Sequence, residues 1–184
     1  PEGTLVRHYL TRRGIEATRF PTLPRALRFH PDCRYTVQDR DDRGRKIWRE
    51  VYRGPAMLAA IQGPNDRFMG VHRTWLDLDR PKGKAEVVDP VTGEVLAAKK
   101  TLGIKKGGAI RLREGTGNGC LVMGEGIETT LSALVAMEGR ADFWCGVDLG
   151  NMSGQMLAGK GLRGKGFPDM EDADAFVPPP WVRE

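Results

Sequence analysis

Leu5, Val6, Tyr9 and Leu10 recur at helical spacing between Thr4, a residue suited to cap a helix start, and Gly14, suited to end one. The pattern predicts a short helix over 5–13. Pro21, Pro24 and Pro31 then forbid a long helix across 20–31 and favour extended chain. A charged turn from Asp39 to Lys46 leads into residues 47–52, which predict a strand. The apolar run 55–61 reads as a buried strand or a short helix, since periodicity alone does not separate the two. Residues 67–78 are rich in aromatic and β-branched side chains and predict another strand. Residues 85–88 and 94–97 flank Asp89-Pro90-Val91-Thr92-Gly93, and that turn chemistry predicts a hairpin. Residues 109–112 predict one more short strand.

The pattern changes after Glu114. Gly115, Gly117 and Gly119 read as a flexible join, and Cys120-Leu121-Val122-Met123 as a buried strand. Gly124-Glu125-Gly126 is a sharp turn, followed by helical spacing of Leu131, Leu134 and Val135 within 129–137. A second buried strand is expected over 143–147. This is a strand–helix–strand unit, the start of a parallel α/β sheet. The fold class expected is α+β: a mixed, partly antiparallel sheet within residues 1–114, then a partial α/β unit within 115–184.

Composition narrows the function classes. With 184 residues the chain suits one domain or two small ones, and 40% hydrophobic against 29% charged residues is a globular balance. The longest apolar run, residues 56–61, falls far short of the roughly 18 that a membrane span needs. Pro1-Glu2-Gly3-Thr4 carries no apolar signal core. Three cysteines (Cys33, Cys120 and Cys145) without CxxC spacing argue against a disulfide scaffold and lead us to expect a reducing, cytoplasmic setting.

The net charge of +5 is unevenly spread. Residues 1–115 hold 24 Lys+Arg and 14 Asp+Glu, whereas residues 116–184 hold 5 and 10. A basic front and an acidic back suggest a polyanion-facing surface beside a carboxylate-bearing one, with ordinary variation of surface charge as the alternative. The tail Pro178-Pro179-Pro180-Trp181-Val182 reads as a linker, so the sequence is expected to be a piece of a longer protein.

Glu125 is the first candidate for chemistry. It is placed at the carboxyl end of a strand opening an α/β unit, where such sheets bind ligands, and its flanking glycines allow close approach. A hard cation such as Mg²⁺ takes one or two carboxylates, waters and phosphate oxygens, and Glu125 suits that role. It suits equally the role of a helix N-terminal charge, and Glu128 reads as an ordinary first-turn acid. Lys99, Lys100, Lys105, Lys106, Arg111 and Arg113 punctuate the glycine-containing segment 99–113, which can track phosphates or serve as a solvated loop. Arg73 can join that surface. Trp75 can stack on a base, although an aromatic residue in a strand is usually core. His30 and Cys33, spaced HxxC, lack the further ligands of a structural zinc site. Ser132 and Ser153 lack GxSxG context, and no P-loop or dinucleotide fingerprint is present.

Several segments together resemble the catalytic core of bacterial and phage primases. Tyr9-Leu10-Thr11-Arg12-Arg13-Gly14-Ile15 is similar to the YLxxRGI element that opens that core. Phe68-Met69-Gly70-Val71-His72-Arg73 resembles its strand before a basic position, and 98–108 its lysine-bearing segment. Cys120-Leu121-Val122-Met123-Gly124-Glu125-Gly126 looks like the first motif of a Toprim domain, and 143–151 like the second Toprim strand and its turn. The Glu125-Gly126-Ile127-Glu128-Thr129 segment is most similar to Toprim primase-like proteins of phages and mobile elements.

The resemblance implies Mg²⁺- or Mn²⁺-dependent nucleotidyl transfer, that is, template-directed primer synthesis in phage or mobile-element replication. Glu125 would be the acid and metal residue. Arg73, Lys99, Lys100, Lys105, Lys106 and Arg111 would contact template or nucleotide phosphates. The partners implied are single-stranded DNA, nucleotides and a helicase domain or protein. The family's later DxD pair has no clear counterpart, since Asp172-Ala173-Asp174 follows Pro168 with no apolar strand before it. Three alternatives stand beside this reading: a non-catalytic single-strand binding module, another Toprim activity such as a nuclease or topoisomerase, and an unrelated small-molecule α/β enzyme. A topoisomerase would need a tyrosine nucleophile among Tyr9, Tyr35 and Tyr52.

Overall fold

A computed structural model describes residues 5–15, 22–115, 117 and 119–153, with the backbone alone at 155–156 and 176–177. The proposed cap Thr4, the Asp172–Asp174 pair and the proline-rich tail lie outside the described residues. The chain divides into two compact units. Residues 1–60 and 71–102 form the first, and residues 61–70 and 103–184 the second. The architecture is α+β, with mostly antiparallel sheets and few helices. Among the described residues no helix is long and apolar enough to cross a membrane.

The first unit begins with α1 (Leu5–Arg12), which buries Val6, Tyr9 and Leu10. Gly14, at φ +74°, ends it. The Gly14 amide donates to the Thr11 carbonyl at 2.9 Å and the Ile15 amide to the Leu10 carbonyl at 3.0 Å, a Schellman closure that only a left-handed residue allows without strain. β1 (Leu27–Arg40) and β2 (Lys46–Gln62) then form a long antiparallel hairpin. The register slips between His30 and Cys33, where Pro31 has no amide to give the ladder. The ambiguous run 55–61 is thus strand, the continuation of 47–52 in one 17-residue β2.

β3 (Phe68–Trp75) and β6 (Lys99–Gly103) complete a four-stranded sheet in the order β1–β2–β3–β6. The expected hairpin is present as the antiparallel pair β4 (Val87–Val88) and β5 (Val95–Leu96). The core of this unit gathers Cys33, Tyr35, Val51, Ala56, Trp75, Ala85 and Val87. Trp75 is fully buried, and its Nε1 donates to the Cys33 carbonyl at 2.9 Å. It is therefore core and not a base-stacking surface. Arg49 of β2 binds Asp89 of the β4–β5 turn through two parallel hydrogen bonds, 2.9 and 2.8 Å, and Asp39 through its Nε at 2.6 Å. That network fastens the small hairpin to the long one.

In the second unit, β7 (Ile110–Arg113), β9 (Asp142–Cys145) and β8 (Leu121–Gly124) form a sheet in the order β7–β9–β8. β8 and β9 are parallel, with α2 (Ile127–Ala136) between them in sequence, whereas β7 is antiparallel to β9. α2 buries Ile127, Thr130, Leu131 and Leu134. A side chain at Gly124 would collide with Thr130 Oγ1, so glycine is what lets the helix start so close to the strand it leaves. A short helix, α3 (Leu149–Met152), follows β9. The backbone segments β10 (Gln155–Met156) and β11 (Phe176–Val177) pair antiparallel.

Candidate nucleic-acid interface and carboxylate site

In the first unit the structure brings Arg73 and Lys100 to the aromatic pair Tyr35 and Trp75, whose ring centroids are 4.5 Å apart. The Arg73 guanidinium lies 5.1 Å from the Trp75 ring centroid, and the Lys100 ammonium 5.0 Å from that of Tyr35. Lys100 donates to the Thr36 carbonyl at 2.6 Å, and Arg73 to the Arg34 carbonyl at 3.3 Å. Arg73 is 9% exposed, and its Nε is buried with no hydrogen-bond partner. Neither cation has a carboxylate partner among the described residues. Burial and the Arg73 charge lower the pKa of Lys100. Burial raises those of Tyr35 and Cys33, against the opposing pull of Arg73. Buried charges are normally paired, so two adjacent cations left to rings and carbonyls make a site attractive to an anion. Lys99, also on β6, is half-buried.

In the second unit Glu125 follows β8 and is exposed. Its carboxylate has no partner among the described residues. Its backbone is fixed, because Cys145 Sγ donates to the Glu125 carbonyl at 3.1 Å. Asp148 follows the parallel neighbour β9, so both acids stand at carboxyl ends of adjacent strands. Between them in the β9 exit lies Val147 at φ +75°. A β-branched residue pays for that conformation in strain, and such outliers cluster at functional sites. Asp148 Oδ1 accepts from the Asn151 amide at 2.8 Å and so caps α3, while Oδ2 takes a short ion pair from Lys105. Lys106 donates to the Gly150 carbonyl at 3.4 Å. Asn151 is buried. It donates to the Gly108 and Gly146 carbonyls at 2.7 and 2.8 Å and accepts from the Gly107 amide at 2.9 Å. It thereby ties the lysine-bearing loop to the end of β9.

Arg111 is half-buried and engaged. Its guanidinium stacks 4.6 Å from the Trp144 centroid, closes a short ion pair with Asp66, and donates to Glu114 at 3.0 Å and the Gly63 carbonyl at 2.8 Å. The anticipated site residues therefore sort into two groups: Arg73, Lys99 and Lys100 on the first unit, Lys105, Lys106, Arg111 and Glu125 on the second.

The model of a domain of unknown function, DUF7146, matches residues 1–112. The chain belongs to this family. No curated protein and no solved structure matches it. The DUF7146 match takes in all six anticipated cations and stops before Glu125 and Asp148.

Whether the carboxylates beyond the DUF7146 match fit a metal follows from the donor set. No group of three His, Cys, Asp or Glu side chains that could hold an ion occurs among the described residues, His30 and Cys33 included. Among the described residues beyond the match, Glu125 alone offers a free carboxylate. That suits Mg²⁺ carried in on substrate phosphates with most of its waters, and does not suit a protein cage. Sequence reasoning missed Asp148, Asn151 and the strained Val147. The spacing Asp148-Leu149-Gly150-Asn151 is an N-cap signal that would have found the first.

Proposed function

We propose that this chain carries out primase-like nucleotidyl transfer, Mg²⁺- or Mn²⁺-dependent primer synthesis on single-stranded DNA, in the replication of a phage or mobile element. The second unit would then be a partial Toprim-type unit. One observation carries the reading: the free, exposed carboxylate of Glu125 at the carboxyl end of β8, in a strand–helix–strand unit whose two strands are parallel. This is the position at which α/β sheets bind ligands. Mg²⁺, when bound, would neutralise charge on the transferring phosphates. Glu125 would hold that ion together with acids outside this chain, waters and phosphate oxygens. Arg73 and Lys100 would hold backbone phosphates of the template against the first unit.

The binding-module reading is favoured because Glu125 is the single free carboxylate among the described residues beyond the DUF7146 match. The topoisomerase reading is weakened because Tyr9 and Tyr35 are buried. Template-dependent incorporation of labelled nucleotides on single-stranded DNA, with and without divalent metal, is the test. Product that appears only with metal and template supports primer synthesis. Salt-sensitive DNA binding without product returns the protein to a non-catalytic module.

A further inference from the structure

We infer that the second unit holds a pocket for a nucleobase, separate from Glu125. The inference rests on the primase-like reading and names the part of the nucleotide recognised there. A cavity of about 140 Å³ is lined by Gln62, Pro64, Gly107, Ala109, Arg111 and Trp144. That is close to the ~150 Å³ that accommodates a single aromatic ring. Most of the lining is apolar. Trp144 supplies an aromatic wall and Arg111 a planar cation stacked on it, the two kinds of surface on which bases stack.

The polar groups point to a base and not a plain hydrocarbon ring. The Gln62 carboxamide makes no hydrogen bond with the described residues, so its donor and acceptor are both available to a base edge. Its backbone, by contrast, is fixed: amide and carbonyl exchange 2.9 Å bonds with Ala109. Lys105 and Lys106 immediately precede Gly107 in the wall, Lys105 in an ion pair with Asp148 that a nucleotide phosphate would have to exchange.

Calorimetric titration of the protein without divalent metal, with each of the four nucleoside triphosphates and with inorganic tripolyphosphate, tests this. At least one nucleotide should bind about 10-fold or more tightly than tripolyphosphate, the gain that one stacked base provides. Ala109→Leu should fill the cavity and erase that excess while leaving tripolyphosphate binding unchanged. Gln62→Ala should reduce the excess, and it decides the matter if the leucine variant does not fold. Equal affinity for nucleotide and tripolyphosphate, absence of binding by any nucleotide, or an excess that survives the substitutions overturns the pocket. Glu125→Gln should keep the excess. A base preference without any nucleotide incorporation would therefore remove the primase reading and leave the pocket standing.

Discussion

In the first unit Arg73 and Lys100 lie on the rings of Trp75 and Tyr35 and reach backbone carbonyls, whereas in the second Lys105 and Arg111 close on Asp148, Asp66 and Glu114. A ring or a carbonyl orients a cation without cancelling its charge. A carboxylate does both. The first unit therefore keeps a positive field available to a polyanion, while Lys105 and Arg111 in the second must exchange a carboxylate partner for each phosphate they take. Six cations that look alike along the chain are in this way unequal: an incoming phosphate gains most at the pair that no carboxylate among the described residues neutralises.

The largest effect on this contrast should come from removing its floor. Trp75→Ala takes away a fully buried ring that packs on Tyr35 and supports Arg73, and should destabilise the protein by about 3–5 kcal/mol in urea unfolding. A loss under ~1 kcal/mol would mean that the aromatic pair is not the core of this unit. Lys100→Met keeps the alkyl stem over Tyr35 and removes only the charge. Single-stranded DNA affinity should fall, and the slope of log affinity against log salt should shrink by about 1. Lys105→Met is the counterpart in the second unit. There the lost phosphate contact is offset by the freed Asp148 pair, so the salt slope should change by less than half as much. Equal slopes for the two variants would erase the comparison.

The smallest effect concerns acid. Hydrogen bonds from Arg49 hold the Asp89 carboxyl down at about 2, and the Arg49 hydrogen bond also lowers the pKa of Asp39. Both lie below their unfolded values of about 3.9. Their contribution to stability is thus complete above pH ~4 and lost as pH falls toward 2. Asp89→Asn should flatten that acid limb of the pH–stability curve while changing its shape above pH 5 little. An unchanged acid limb would show that the Arg49 network does not fasten the two hairpins.

Much of the fold is written in local pattern. The helix of Leu5, Val6, Tyr9 and Leu10, the Asp89–Gly93 turn, and the strand–helix–strand order of 120–147 each follow from residues close in sequence. What stayed hidden depends on distant partners. Residues 55–61 could be read as helix or strand because only the pairing with β1 decides it. The mixed sheet of the second unit follows from β7 pairing with β9, a contact across more than 30 residues that no local pattern announces. The candidate site divides the same way. Glu125 is legible because glycines and a strand end mark it. The engagement of Arg111 by Asp66 and Trp144, and the hub at Asn151, are tertiary facts. So is the absence, among the described residues, of a carboxylate partner for Arg73.

The most direct measurement is template-dependent nucleotide incorporation by the protein and by Glu125→Gln in parallel, with thermal unfolding of both. Glu125 is exposed and its carboxylate holds no partner among the described residues, so unfolding should be unchanged within about 0.5 kcal/mol. Incorporation should drop by about 100-fold or more, the loss expected when a carboxylate that places a metal ion is neutralised. Undiminished synthesis by a normally folded Glu125→Gln would contradict the account, because the one free carboxylate among the described residues of the unit would then have no part in the chemistry.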